Sequence, residues 1–443
     1  MKNSLEKDFN FIGLLRFTLP TVVMMIFTAT YTIVDGFFVS RFIGTDALSS
    51  VNIAFPLFNA ALAIGVMIGA GGSALIAKKM GEGKAQEAKE NFTLLIVSCF
   101  VIGAILMVAV GLNMEPLMRF LGADDKLLPG CMTYGYLLLP FAIPTLLQMA
   151  FQYWFVTAGK AELGLKLTVA AGIANMVLDY VFIVLFDWGV AGAAIATGSG
   201  ILIPSMFGLV FFARNKSGTL HLVKPRWDGQ VLVKSCTNGA SEMVTELSNA
   251  ITTFLYNIVM MRLAGSDGVA SMTIVLYLDF LLKSALLGFA MGVGPVFSYN
   301  YGSQEHDKLK KFFKYSIKFV SITSVCLFTF AYVFAPQLSG IFAEEGTMVY
   351  DLAVKGFKLY CFGFLFTGVS IFSSALFTAF SNGAVSATIS FFRTFLFIVV
   401  GLLTLPNIIG ITGAWISGPI GECVAMLVSV GFLVVFRKKY KYL

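Results

Sequence analysis

Charged side chains are scarce. Asp, Glu, Lys and Arg make up 12% of the 443 residues, about half the share carried by a soluble domain. That excludes a soluble enzyme with a few buried helices and a solvated, disordered chain. The two histidines, His221 and His306, sit far apart in polar stretches and cannot form a metal pair. The six cysteines (Cys99, Cys131, Cys236, Cys326, Cys361 and Cys423) are scattered with no CxxC, which excludes a disulfide scaffold. Most lie in apolar runs, where a thiol behaves as a small hydrophobe. No GxxxxGK[ST] stretch occurs, so ATP-driven transport within this chain is not expected. The first ten residues mix Lys with Glu and Asp, which is not the pattern of a cleavable signal peptide.

Hydrophobic residues fill what the charges vacate. They reach 58%, with 44 Phe and 43 Gly, the composition of a polytopic membrane protein. Apolar runs recur near 13–40, 48–76, 92–113, 128–156, 163–186, 190–212, 234–260, 269–297, 313–334, 351–379, 384–405 and 412–436. The pattern predicts an all-α protein of about twelve spans. Pro20, Pro140, Pro144 and Pro295 fall inside them, where neighbouring helices can satisfy the freed carbonyls.

A net charge of +7 invites a nucleic-acid reading, but the basic residues collect in alternate loops instead. Lys78, Lys79, Lys84 and Lys89 share one side with Arg214, Lys216, Lys224 and Arg226, with Lys308, Lys310 and Lys311, and with Arg437, Lys438 and Lys439. Arg41, Arg119, Lys126 and Arg262 lie on the other. The imbalance places both termini in the cytoplasm and leaves no role for nucleic acid.

The second half repeats the first at an offset of 221 residues. Arg41-Phe-Ile-Gly44-Thr-Asp46 pairs with Arg262-Leu-Ala-Gly265-Ser-Asp267. Gly71 pairs with Gly292, Gly81 with Gly302, Gly135 with Gly356, and Gly192-Ala193 with Gly413-Ala414. Each copy holds an even number of spans, so both enter the membrane in the same direction. The chain divides into a lobe of residues 1–213, a cytoplasmic link of 214–233 and a second lobe of 234–443. Two such bundles around a cavity suit alternating access. One chain already holds both lobes, as a monomer would.

Ionisable residues at membrane depth need a partner or a task. Measured from Arg41, Asp35 is about 9 Å deep. Asp179 and Thr197 are each about 12 Å deep from the loop between the fifth and sixth spans. Asn175 lies one turn from Asp179 on the same face. Two carboxylates, an amide and a hydroxyl suit Na⁺, and equally H⁺; a structural hydrogen-bond cluster is the alternative. In the second lobe Glu242 and Glu246 share a helix face and lack a base nearby in sequence. Asp279 is followed one turn later by Lys283, so an intrahelical ion pair competes with a functional role. Arg393 and Glu422 are expected to pair with each other. Acids in this lobe, together with side chains such as Gln152 and Tyr134, can attract a cationic, apolar substrate. Aromatic and Met side chains such as Tyr136, Phe151, Tyr153, Trp154, Met149 and Met243 can line a plastic drug cavity, although most such residues are expected to face lipid or pack in the core.

The tract from Pro20 through Asp35-Gly-Phe-Phe-Val-Ser-Arg41-Phe-Ile-Gly44-Thr-Asp46, the Gly81-Glu-Gly-Lys loop and Asn175-Met-Val-Leu-Asp179 resemble the multidrug and toxic compound extrusion (MATE) family. Asn238-Gly-Ala-Ser-Glu242-Met-Val-Thr-Glu246 resembles a bacterial branch of it, and the likeness spans essentially the whole chain. The resemblance implies a V-shaped, twelve-helix antiporter of the bacterial inner membrane. It would expel amphipathic, often cationic drugs in exchange for H⁺ or Na⁺, with no other cofactor. Asp35, Asn175, Asp179 and Thr197 match the family's cation site, with Gln148 or Gln152 as a polar residue of the fourth span. Glu246, or Glu242, and Asp279 match its acidic positions on the seventh and eighth spans. The tenth span, Phe364 to Phe380, carries no acid, unlike some members, which favours a cation site in the first lobe.

Two other classes are less well served. A flippase for a lipid-linked saccharide needs a basic cavity, yet intramembrane acids outnumber Lys283 and Arg393. A membrane transferase needs an Asp-rich metal motif or a His/Asp pair at the interface, and neither is visible.

Overall fold

A computed structural model describes residues 4–43 and 45–443, without the side chains of residues 37–41 and 45–48. Lys2, Gly44 and the side chains of Arg41, Thr45 and Asp46 therefore lie outside the described residues.

All regular structure in the described residues is helical. Eleven long apolar helices run in chain order: α1 (Phe11–Phe42), α2 (Thr45–Gly81), α3 (Ala85–Leu112), α4 (Leu128–Thr157), α5 (Ala161–Leu185), α6 (Gly189–Arg214), α7 (Gly229–Gly302), α8 (His306–Val333), α9 (Met348–Ala379), α10 (Gly383–Ile409) and α11 (Ile411–Tyr440). The 74 residues of α7 contain both the seventh and the eighth expected spans. They are divided at Ala264 (φ −145°, ψ 15°) and Gly265 (φ 62°, ψ −150°), which leave helical geometry. Gly265 thus does the work of a loop. A Cβ at that backbone conformation is strained by about 1–3 kcal/mol even though the space around it is open. Gly265→Ala is expected to lower the melting temperature of the purified chain by several degrees, measured by intrinsic fluorescence.

The 221-residue offset reappears in the helix boundaries. α2 ends at Gly81 and α7 at Gly302; α3 spans Ala85–Leu112 and α8 spans His306–Val333. It reappears again in the cores. One buried cluster holds Val51, Ala54, Met114, Ala193 and Ala194. The other holds their repeat mates Met272, Val275, Ala335, Ala414 and Trp415. Bulk moves between sites while the positions stay: Trp415 stands where the first copy has Ala194, and it packs against Gly356.

Contacts divide the chain into two units. The first holds the residues up to Lys7 and Val23–Gly239; the second holds Asp8–Val22 and Ala240–Leu443. Both boundaries fall inside helices, one in α1 and the other at the repeat-equivalent part of α7. Glycine permits the close approaches that follow. In the first unit a Cβ on Gly71 would meet the Ser235 carbonyl, and one on Gly239 the Met67 carbonyl. In the second, Gly288 faces the Thr21 carbonyl at 2.6 Å from an added Cβ, and Gly292 faces Thr18 and Thr21. The 214–233 segment folds onto the first unit: Leu220 is fully buried, and the Val223 N–H donates to Thr93 Oγ1 at 3.1 Å. Below it, Phe92, Phe151, Trp154, Phe155 and Phe212 form a solvent-free aromatic box, with Phe92 and Phe212 centroids 4.8 Å apart. Phe151 and Trp154 are therefore packing.

Candidate functional site

In the first unit α1 and α5 bring two acids together. The Asp35 carboxyl comes within interaction reach of the Asp179 carboxyl and the Asn175 amide. Asn175 and Asp179 lie one helical turn apart, so α5 presents both on one face. Asp179 is fully buried and Asn175 is nearly so. Immediately after Asp179 the helix widens into a π segment, Tyr180–Leu185, a local irregularity that often marks a working site. Sequence periodicity gave no sign of it.

Two tyrosines complete the surroundings. Tyr134 of α4 is buried within electrostatic range of both carboxyls. Tyr31 is one turn before Asp35 on α1 and within range of it. Tyr31 was missed from the sequence; its spacing from Asp35 was the available signal. Thr197 is half-buried on α6, one turn before Gly200, whose Cβ position would lie 3.1 Å from Asn175 Cβ. Gln148 lies about 21 Å further along α4 than Tyr134, so it is not gathered with the carboxyls. Gln148 is buried, with an Oε1 that finds no donor among the described residues, and Gln152 is half-buried one turn on.

The electrostatic state of this pair is unusual. Asp35 Oδ1 and both Asp179 carboxyl oxygens are sealed from solvent and accept no hydrogen bond among the described residues. A buried carboxylate without a partner costs several kcal/mol. Two carboxyls in reach of each other relieve that cost by holding a proton between them or by jointly ligating a cation. The amide oxygen of Asn175 and the hydroxyl of Tyr134 are the neutral oxygens at hand for such a cation.

The second unit distributes its charges differently. Lys283 Nζ lies 3.0 Å from Asp279 Oδ1, one turn earlier on α7, and 3.0 Å from Glu422 Oε1 on α11. The intrahelical pair foreseen between Asp279 and Lys283 is present. Glu422, expected beside Arg393, is instead held by Lys283, because α11 brings its carboxyl to that ammonium. Arg393 is buried on the π segment Phe392–Leu396, within electrostatic range of Glu242 and Asp279, and its Nε has no acceptor among the described residues. Glu242 and Glu246 are half-buried one turn apart on α7 and within range of each other.

The repeat does not carry these groups across. At the mates of Asp35, Asn175, Asp179 and Thr197 stand Tyr256, Leu396, Val400 and Gly418. At the mates of Asp279, Lys283 and Glu422 stand Phe58, Leu62 and Ile201. The duplicated scaffold is shared, and the intramembrane chemistry is private to each copy.

The MatE family pattern matches residues 20–181 and 243–403, one stretch in each copy of the repeat. The multidrug export protein MepA of Staphylococcus saprophyticus is 24% identical over 442 residues, covering 98% of this chain and 96% of its own length. The protein of the same name from Staphylococcus aureus is 21% identical, again over 98% of this chain and 96% of its own. Among solved structures, the outward-facing conformation of a multidrug resistance MATE family transporter of the MOP superfamily superposes with a TM-score of 0.93. It is 23% identical and covers 100% of this chain and 99% of its own.

Proposed function

We propose, from the premise that this chain belongs to the MatE family, that it exports amphipathic, cationic small molecules in exchange for H⁺ or Na⁺. The observation that carries the proposal is the carboxyl pair of half-buried Asp35 and fully buried Asp179, in reach of each other and of the Asn175 amide, with no ion pair from either to a base among the described residues. Such a pair has two stable conditions, charged with a bound cation or neutralised by protons, and little else can satisfy it. The multidrug export proteins named above, at 21–24% identity over nearly the whole chain, support the substrate class.

The cation binds from the outside at Asp35 and Asp179, with Asn175, Thr197 and Tyr134 as neutral neighbours. Loading alters the packing of α1, which contains Pro20 and is weakened there by a missing N–H. Drug release follows, the lobes exchange access, and the cation leaves inward. Coupling requires only that cation and drug favour different states. Glu242 and Glu246 supply negative charge for a cationic substrate. In this reading both termini are cytoplasmic, which the loops rich in Lys and Arg support, the membrane is the bacterial plasma membrane, and a single chain suffices.

Efflux of a fluorescent cationic dye from inverted membrane vesicles tests the reading, with a proton gradient and a sodium gradient imposed separately. One of the two is expected to drive export against the dye gradient. Dye movement that only ever follows its own gradient would make the protein a passive pore.

A further inference from the structure

The ion triad of the second unit borders the repeat mate of Asp35. Tyr256, the repeat mate of Asp35, is buried within electrostatic range of Asp279, Lys283 and Tyr360. Gly421 is the mate of Gly200. Gly200 abuts Asn175, and Gly421 abuts Phe397 and Ile398, which directly follow Leu396, the mate of Asn175. Glu422 is the next residue along. In the first unit, two acids stand together with no base paired to them among the described residues. In the second, two acids stand together with an ammonium between them, 3.0 Å from each, and that ammonium also lies 5.9 Å from the Tyr360 ring centroid.

We infer that Lys283 is a tethered cation: its ammonium permanently does for two acids of the second unit what a mobile cation does for the carboxyl pair of the first. The second unit then neither loads nor releases a coupling ion, and coupling is confined to one lobe of a duplicated protein. The contrast between lobes rests on the reading of Asp35 and Asp179 given above, while the role of Lys283 rests on its own contacts. Three features favour a tethered ion over an incidental surface pair. The lysine is anchored on the same helix as one acid, one turn away, so it cannot leave. Its second acid comes from a distant helix, α11, so the contact spans the unit. All three side chains are largely withdrawn from solvent, at 14%, 13% and 4% exposure, where an ammonium removed would have to be replaced.

The test uses the full chain carrying Asp35→Asn and Asp179→Asn, so that no ion response can come from the first unit. Its melting temperature is compared in sodium chloride and choline chloride of equal ionic strength. This background is expected to melt alike in both salts. Adding Lys283→Ala is expected to lower the melting temperature in choline, with about 3 °C or more returned by sodium or by methylammonium. Lys283→Arg keeps the tether and is expected to show no salt response. If Lys283→Ala gives no folded protein, Lys283→Gln is compared in the same way. Equal melting of the lysine-free variant in sodium, methylammonium and choline would overturn the inference. So would a sodium response that survives further addition of Asp279→Asn and Glu422→Gln. Transport enters none of these measurements, so a failure of the antiport reading and a failure of the tethered cation are separately visible.

Discussion

Asp179→Asn is expected to reduce gradient-driven dye export at least tenfold, to the level of empty vesicles, without lowering the melting temperature. The amide keeps the shape of the carboxyl, so the packing around this fully buried side chain is preserved. What it removes is the capacity to carry charge. Neither Asp179 oxygen makes a well-formed hydrogen bond among the described residues, and the amide can still donate to the Asp35 carboxyl in reach, so little native bonding is lost. Replacing an unsatisfied buried acid with a neutral group is therefore neutral or stabilising. Asp35→Asn is expected to behave alike, because one carboxyl alone has lost the partner with which it shares a proton or a cation. A structural hydrogen-bond cluster makes the reverse forecast: near-normal export at equal expression and a melting temperature lower by several degrees. Measuring both quantities on the same reconstituted protein decides between them.

The fold was largely legible because the membrane enforces it. A chain with 58% hydrophobic residues in runs of helical length has few alternatives, and a constant 221-residue register announces the duplication. Asp35, Asn175 and Asp179 were legible as a group because loop charges fixed their depth and helical spacing fixed their face. What periodicity cannot supply is the packing partner in another helix. Arg393 and Glu422 were matched by charge alone, while the structure gives Glu422 to Lys283, from a helix 139 residues away in sequence. Gln148 was grouped with the acids by resemblance, yet its position along α4 keeps it about 21 Å from Tyr134. The π segment after Asp179 and the division of α7 at Gly265 are backbone choices, and hydropathy does not encode them.

Gly239→Thr is expected to cost more than the roughly 1–3 kcal/mol of ordinary overpacking, because the obstacle is backbone. An added Cβ would meet the Met67 carbonyl, which cannot rotate aside as a side chain would. The repeat shows how such a contact can be rebuilt. At the mate of Gly239 the chain carries Thr18, which packs beside Gly292, the mate of Gly71, while Gly288 takes the place of Met67. One copy places its bulk on α2 and a glycine on the crossing helix; the other places its bulk on the crossing helix and glycine beneath it. The same volume is divided in two ways. A double variant, Gly239→Thr with Met67→Gly, keeps the Met67 carbonyl and is therefore expected to recover only the part of the loss that a shift of the two helices, permitted by glycine at 67 as by Gly288 at the second crossing, can relieve. Melting temperatures of the two single variants and the double variant complete the cycle. Strict additivity would show that the two crossings only look alike in sequence. A positive coupling would show that the duplicated helices solve one packing problem by exchanging the same bulk between partners.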